Sequence, residues 1–161
     1  MGDRATEDVR SGNRAGDNGQ VIPSDDQIRA ILSTDVWHWG LNHLPDGKTF
    51  DDIRFRDLIT VGEDDVFNFV IANGFNERVV AERDAARWAD DRLCIVPEAD
   101  GRWSVYYSER GMKSDEVILP SLAEARREVV HRLMREARIL LNHTFRLAHP
   151  EMDLPRPSEM D

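Results

Sequence analysis

The side chains that could do chemistry in this chain include four pairs of adjacent aspartates, at positions 25–26, 51–52, 64–65 and 90–91. Paired carboxylates can hold a metal ion or serve in acid–base catalysis. Three of the pairs, however, lie at or near the start of a predicted element, where acidic side chains act as caps. We interpret them as structural. The alternative, a small hydrolase or transferase that uses Asp64 and Asp65, stays open.

The single cysteine and the histidines give no stronger signal. Cys94 lies in the apolar run "LCIV", and we expect it in the core, because a nucleophilic thiol needs a partly exposed, electropositive setting and a base. His38 and His43 are five residues apart, a spacing that does not place them on one helix face. We interpret both as structural, and we expect His131 and His143 on the flanks of a long helix.

Composition limits the function further. The chain has 161 residues, 40% of them hydrophobic and 32% charged, which suits one globular domain with a core. The net charge of -10 argues against nucleic acid as a partner, because phosphate binding needs clustered positive charge. No apolar run approaches the roughly 20 residues of a bilayer span, and the N-terminus has no apolar signal. We expect a cytoplasmic protein without a membrane partner.

Known catalytic motifs are missing from the sequence. It contains no glycine-rich phosphate loop, no Gly-x-Ser-x-Gly elbow and no His-Glu-x-x-His helix. One cysteine also excludes an internal disulfide and a cysteine-rich metal site. The sequence therefore predicts a protein that is not an enzyme, with no catalytic residues, no metal site and no cofactor.

Polarity divides the chain into three parts. Residues 1–20 are polar with few large apolar side chains, and residues 149–161 contain three prolines and no periodicity. Such segments cannot bury enough surface to offset the entropy of ordering. We predict disordered tails at 1–20 and 149–161, and a single α+β domain at 21–148.

The N-terminal portion of that domain is predicted to be mostly helical. Ser24 to Gln27 have the form of a capping box, with Ser24 opening the first helix. Residues 63–72 form a second helix that ends at Gly74, and residues 77–89 form a third, with Trp88 in its apolar stripe. The stretch "DDIRFRDLI" fits either a short strand or a single helical turn.

The last third predicts an antiparallel three-stranded meander packed on a long C-terminal helix. The strands are "RLCIVPEA", residues 102–108 and "EVILP", and Ser121 with Glu124 forms a capping box at the helix start. The helix stripe comprises Leu122, Ala125, Val129, Leu133, Ala137, Leu140 and Thr144. In the middle strand, alternation places Trp103, Val105 and Tyr107 towards the helix and residues 102, 104, 106 and 108 on the other side.

The stretch "GRWSVYYSERG" at residues 101–111, followed by a short strand and a capped helix, resembles small bacterial immunity proteins of polymorphic toxin systems. The resemblance covers about residues 92–135. Some of these proteins resemble partners of secreted NAD-glycohydrolase toxins of the tuberculosis-necrotizing-toxin type. The resemblance implies a rigid protein without an active site that forms a 1:1 complex with a cognate toxin and blocks it. An alternative is a non-catalytic interaction adaptor or regulatory domain.

Partner contact is predicted at the end of the middle strand. Tyrosine and arginine are common anchor residues of interfaces, and alternation assigns Tyr107 mainly to the core. The predicted partner-binding residues are therefore Tyr106, Ser108, Glu109, Arg110 and Gly111.

Overall fold

A computed structural model of the chain describes residues 21–160, so the disordered tail predicted for residues 1–20 lies outside the described residues. The fold is α+β. In residues 21–160, five α-helices and four strands follow one another as α1 (Ser24–Leu32), α2 (Val36–Leu41), α3 (Phe55–Leu58), α4 (Glu63–Asn73), β1 (Val80–Glu82), β2 (Arg92–Pro97), β3 (Trp103–Glu109), β4 (Met112–Leu119) and α5 (Leu122–Ala148).

The sheet has four strands in the order β1-β2-β3-β4, and it is mixed rather than antiparallel. Strands β2, β3 and β4 form the predicted antiparallel meander, whereas β1 pairs with β2 in parallel. The prediction of three strands is wrong because residues 77–89 are not an α-helix. The adjacent β-branched residues Val79 and Val80 favour extended backbone. Val80 pairs with Leu93, and a 3₁₀ helix (Arg83–Trp88) follows β1.

Helix α5 lies across one face of this sheet and contributes more buried residues to the main core than any other single element of residues 21–160. Its N-terminus is capped as predicted, since the Ser121 hydroxyl accepts a hydrogen bond from the Glu124 backbone N–H at 3.2 Å. The predicted apolar stripe is confirmed in its first half. Further on it turns towards Leu141 and Phe145, which are buried, while Leu140 and Thr144 are only partly buried. The predicted stripe advanced in steps of mostly four residues, whereas an α-helix has 3.6 residues per turn. Over a 27-residue helix this mismatch moves the later predicted positions off the buried face.

The N-terminal helices cover the remaining sides of α5. Helix α1 begins at Ser24, but its N-cap residue is Pro23 and no side chain caps it, so the predicted capping box is absent. Buried Gln27 instead accepts a hydrogen bond from the Thr60 backbone N–H at 2.8 Å and ties α1 to the loop before α4. Of the two alternatives for "DDIRFRDLI", the single helical turn is the one observed, as α3. Helix α4 ends at Asn73, and the residue that follows it is Gly74, as predicted, with a φ of 77°.

The C-terminal segment that the sequence predicts as a disordered tail packs onto α5. Buried Asn142 donates hydrogen bonds to the carbonyls of Pro157 and Met160, both at 2.9 Å, and accepts one from the Phe55 backbone N–H at 2.7 Å. The Met160 side chain is 4% exposed. Two of the three prolines that suggested disorder, Pro155 and Pro157, lie at or next to a short 3₁₀ turn (Pro157–Glu159), which the Asn142 side chain contacts.

Within residues 21–160, no helix combines the length and the apolar composition that crossing a membrane requires.

Candidate interaction surface

The middle strand β3 is buried on both of its faces, which the sequence did not predict. Val105 faces α5 and is fully buried, as expected. On the opposite face, Tyr106 is only 7% exposed and packs with Cys94, Ala86 and Ala89. The 3₁₀ helix and the residues after it cover this face. The assignment of Tyr106 to the surface is therefore wrong, and the tyrosine expected in the core, Tyr107, is only partly buried.

Tyr106 and Cys94 lie opposite each other on neighbouring strands, and both are shielded from solvent. Burial, together with the nearby thiol, raises the pKa of Tyr106 to about 12. Burial also raises the pKa of the Cys94 thiol. The Lys113 ammonium lies 4.2 Å from the centre of the Tyr106 ring. A buried thiol with a raised pKa stays protonated at neutral pH and is a poor nucleophile, so Cys94 is a core residue, as the sequence predicted.

Ser108, which was predicted to contact the partner, is buried as well. Its side chain is 7% exposed, and its hydroxyl donates a hydrogen bond to the Ala89 carbonyl at 2.8 Å. This bond fixes the end of β3 to the segment that follows the 3₁₀ helix. Tyr106 and Ser108 therefore stabilise the outer layer of the sheet and do not present a free surface.

The other three predicted residues lie at the exposed tip of the β3–β4 hairpin. Glu109 pairs with Met112, so Arg110 and Gly111 alone make the turn. Their φ values are 50° and 76°, which are typical of the tight turn that matches the twist of a two-stranded hairpin. The Arg110 backbone N–H donates to a carboxylate oxygen of Asp90 at 2.5 Å. The tip is thus fixed by the strand pairing of the hairpin and by the contact with Asp90.

An exposed tryptophan next to this tip is the feature that sequence reasoning missed. The Trp88 side chain is 81% exposed, although it was predicted in an apolar helix stripe. The two residues that follow it, Ala89 and Asp90, form the hydrogen bonds to Ser108 and Arg110, so Trp88 is adjacent to the hairpin tip. The signal available in the sequence was the charge on both sides of Trp88, an arginine before it and two aspartates after it.

We define the tip surface as Trp88, Glu109, Arg110, Gly111 and Met112. Met112 is 70% exposed and follows the turn directly. Tryptophan, methionine and arginine are the residue types that are enriched in protein interfaces. Two exposed large apolar side chains and an arginine thus lie on neighbouring segments, and another molecule that covered these segments would bury them.

The other candidate residues have local structural partners. Asp65 accepts a hydrogen bond from the Gly62 backbone N–H at 2.8 Å at the start of α4, and Asp52 accepts one from the Thr49 backbone N–H at 3.1 Å. The Asp65 contact confirms a capping role for that carboxylate, whereas the Asp52 contact closes a turn at residues 49–52. The imidazole of His43 contacts the Trp39 carbonyl at 2.7 Å.

His38 and His131 each lie beside a carboxylate, of Asp35 at 2.6 Å and of Glu63 at 3.0 Å. His143 is exposed on α5, as predicted for a flank position. In the part of the chain that the structure describes, no group of three or more histidine, cysteine, aspartate or glutamate side chains converges as a metal site.

Comparison of the chain with models of known protein families, with curated proteins and with solved structures finds no match.

Proposed function

We propose that this protein is an immunity protein that binds a cognate toxin through the tip surface and blocks it. The observation that carries the proposal is Trp88, which is 81% exposed on a segment fixed by hydrogen bonds to the hairpin tip. Leaving a tryptophan in water gives up a large burial free energy. Contiguous exposed apolar surface with a polar rim is typical of a site that another protein covers.

The tip surface fits a tight inhibitor in two respects. Its backbone is already fixed by the Asp90 contact and by the two-residue turn, so binding would order few additional groups, and a preorganised surface loses less free energy on association. The acidic net charge of -10 favours a toxin with a basic surface around its active site, because complementary charge speeds association.

The proposed complex contains one copy of each protein and forms in the cytoplasm, without nucleic acid, membrane or cofactor. The resemblance at residues 101–111 favours an NAD-glycohydrolase toxin as the target. In this proposal the protein performs no catalysis and acts by covering the active site of the toxin.

The proposal predicts that a neighbouring gene encodes a toxin, and co-expression with the product of that gene tests it. We expect the wild-type protein to restore growth and to co-purify with the toxin, and the double variant Trp88→Ala, Arg110→Ala to do neither while remaining folded by circular dichroism. The matched control is Ile71→Ala. It truncates an exposed apolar side chain of α4, outside the tip surface, and should still protect. Binding to a partner that is not toxic when expressed alone would favour the adaptor function instead.

A further inference from the structure

The segment that follows α5 has the form of a short peptide seated on the helix. We call residues 150–160 the strap. Met160 is the only residue of the strap that is buried, and most of the others are exposed. Met160 also lies outside the main apolar cluster of residues 21–160. The strap therefore has a single buried apolar anchor, which is separate from the core of the domain.

Polar side chains of α5 hold the backbone of the strap. The Asn142 amide donates one hydrogen bond to the Pro157 carbonyl and one to the Met160 carbonyl. The Arg146 guanidinium donates to a third strap carbonyl at 3.1 Å. Asn142 is fully buried and its oxygen is bound by the Phe55 N–H, so both of its N–H groups are directed at the strap. We define the strap groove as Phe55, Asn142 and Arg146.

The backbone of the strap is not part of any helix or strand of the domain. Within residues 21–160, its backbone-to-backbone hydrogen bonds run inside the strap or to the carbonyl of His149, where α5 ends. A segment with few buried side chains and no backbone pairing to its neighbours opens at a lower free energy than core elements do. The strap can therefore leave the groove without breaking a helix or a strand.

The last five residues of the strap, "RPSEM" at 156–160, favour their bound shape by local interactions. Pro157 is the first residue of the 3₁₀ turn, where its fixed φ suits the helical backbone. The Glu159 carboxylate accepts a hydrogen bond from the Arg156 N–H at 3.3 Å, as in a capping box. Because both features are local, a released strap keeps a tendency to form the turn, and a preorganised peptide loses less free energy on binding.

We propose that the strap is an intramolecular peptide ligand, which leaves the strap groove and returns to it while the rest of the domain stays folded. The closed state is favoured because an open strap leaves both N–H groups of the buried Asn142 amide without their acceptors. The groove accepts a short peptide with one 3₁₀ turn followed by a large apolar side chain, here Met160. The proposal is independent of the proposed function, since none of these residues belongs to the tip surface.

A synthetic peptide of residues 150–160 tests whether the strap is a separable ligand. The receptor is the full-length variant Met160→Ser, which removes the anchor and leaves the groove residues unchanged. Titration followed by two-dimensional NMR should give saturable shifts of the Asn142 side-chain amide. The wild-type protein, whose own strap competes at high effective concentration, should bind the peptide at least tenfold more weakly. The matched control is the same peptide with Met160→Ser, which should cause no saturable shifts.

A second variant tests the role of the groove. Asn142→Asp, added to Met160→Ser, keeps an acceptor for the Phe55 N–H but loses both donors, and should weaken the peptide at least tenfold. Asn68→Asp, the same change at an exposed position of α4, should not. If the Asn142 variant does not fold, Arg146→Ala replaces it, since that exposed side chain donates to the strap and its loss should weaken the peptide at least threefold.

Two results would overturn the proposal. The first is the lack of a saturable shift in Met160→Ser up to about 1 mM peptide, which would show that the strap is not a ligand of the groove. The second is equal affinity of the peptide for the wild-type protein and Met160→Ser, which would place the peptide outside the groove. Neither result depends on whether the protein binds a toxin.

Discussion

The two faces of the sheet are covered to different depths. On one face, the 27-residue helix α5 packs Val129, Leu133 and other aliphatic side chains against Ile95 and Val105, and helices α1 to α4 extend the same core. On the other face, a 3₁₀ helix of six residues contributes Ala86 and is followed by Ala89. The second layer is thin because its contacts to the sheet are made by methyl groups.

This difference explains where the exposed aromatic side chain lies. A layer built from alanines brings its backbone close to the sheet, so a large side chain on the same short segment can only point outwards. Trp88 is that side chain. The face covered by α5 holds the main core, and the thinly covered face leaves an exposed tryptophan beside the hairpin tip.

The largest loss of stability is expected when Tyr106, a residue of the thin layer, is truncated. Because Tyr106 fills the thin layer, Tyr106→Ala should lower the free energy of unfolding by about 3 kcal/mol, in the range of other truncated core aromatics. Tyr107→Ala, at a partly buried position, should lower it by about 1 kcal/mol. Urea denaturation measures both, and equal losses would show that the outer layer is not a second core.

A smaller effect is expected at the turn that presents Arg110. Gly111 has a φ of 76°, a conformation that is strained for residues with a side chain. Gly111→Ala should therefore lower stability by about 1–2 kcal/mol. Arg110→Gly is the matched change, since Arg110 already has a φ of 50° and glycine relieves that strain. Denaturation curves in which Arg110→Gly is the less stable of the two would contradict the turn geometry.

The face of the sheet that α5 covers has a carboxylate, Glu136, whose ionisation should make the stability depend on pH. Burial raises the folded-state pKa of Glu136 above its unfolded value, so ionisation of this group disfavours the folded state. Its favourable contribution is complete below the unfolded pKa and is lost as the pH rises through the folded pKa. Glu136→Gln should therefore have a higher Tm than wild type at pH 7, and the difference should disappear towards pH 4. A constant difference across this range would be inconsistent with a desolvated carboxylate.

The smallest change in stability is expected for Trp88. Because its side chain is exposed, Trp88→Ala should alter the free energy of unfolding by less than about 0.5 kcal/mol. Trp103 is half-buried at the far end of β3, with the Arg83 guanidinium 5.1 Å from its ring, and Trp103→Ala should lower stability by about 2 kcal/mol. Thermal unfolding of the two variants compares them directly, and a large loss for Trp88→Ala would place that side chain in the fold.

Patterns of neighbouring residues correctly predicted the elements that depend only on short stretches of sequence. The Ser121–Glu124 capping box and the alternating strand "WSVYYSE" both lie where they were expected. The fourth strand could not be predicted, because β1 has only three residues and exists through its pairing with β2. The burial of Tyr106 and Ser108 depends on a layer formed by distant residues, and alternation alone cannot tell which face of a strand is open. Trp88 was misassigned because residues 77–89 were predicted as one α-helix, whereas they form β1 and a 3₁₀ helix.

The central claim, that the tip surface binds the toxin, is tested most directly by calorimetric titration of the purified toxin with wild-type protein, Trp88→Ala and Ile71→Ala. A buried tryptophan anchor is worth about 2 kcal/mol or more, which corresponds to roughly a 30-fold increase in Kd. We predict at least that loss for Trp88→Ala and less than about a threefold change for Ile71→Ala. Equal affinities for all three proteins would contradict the account.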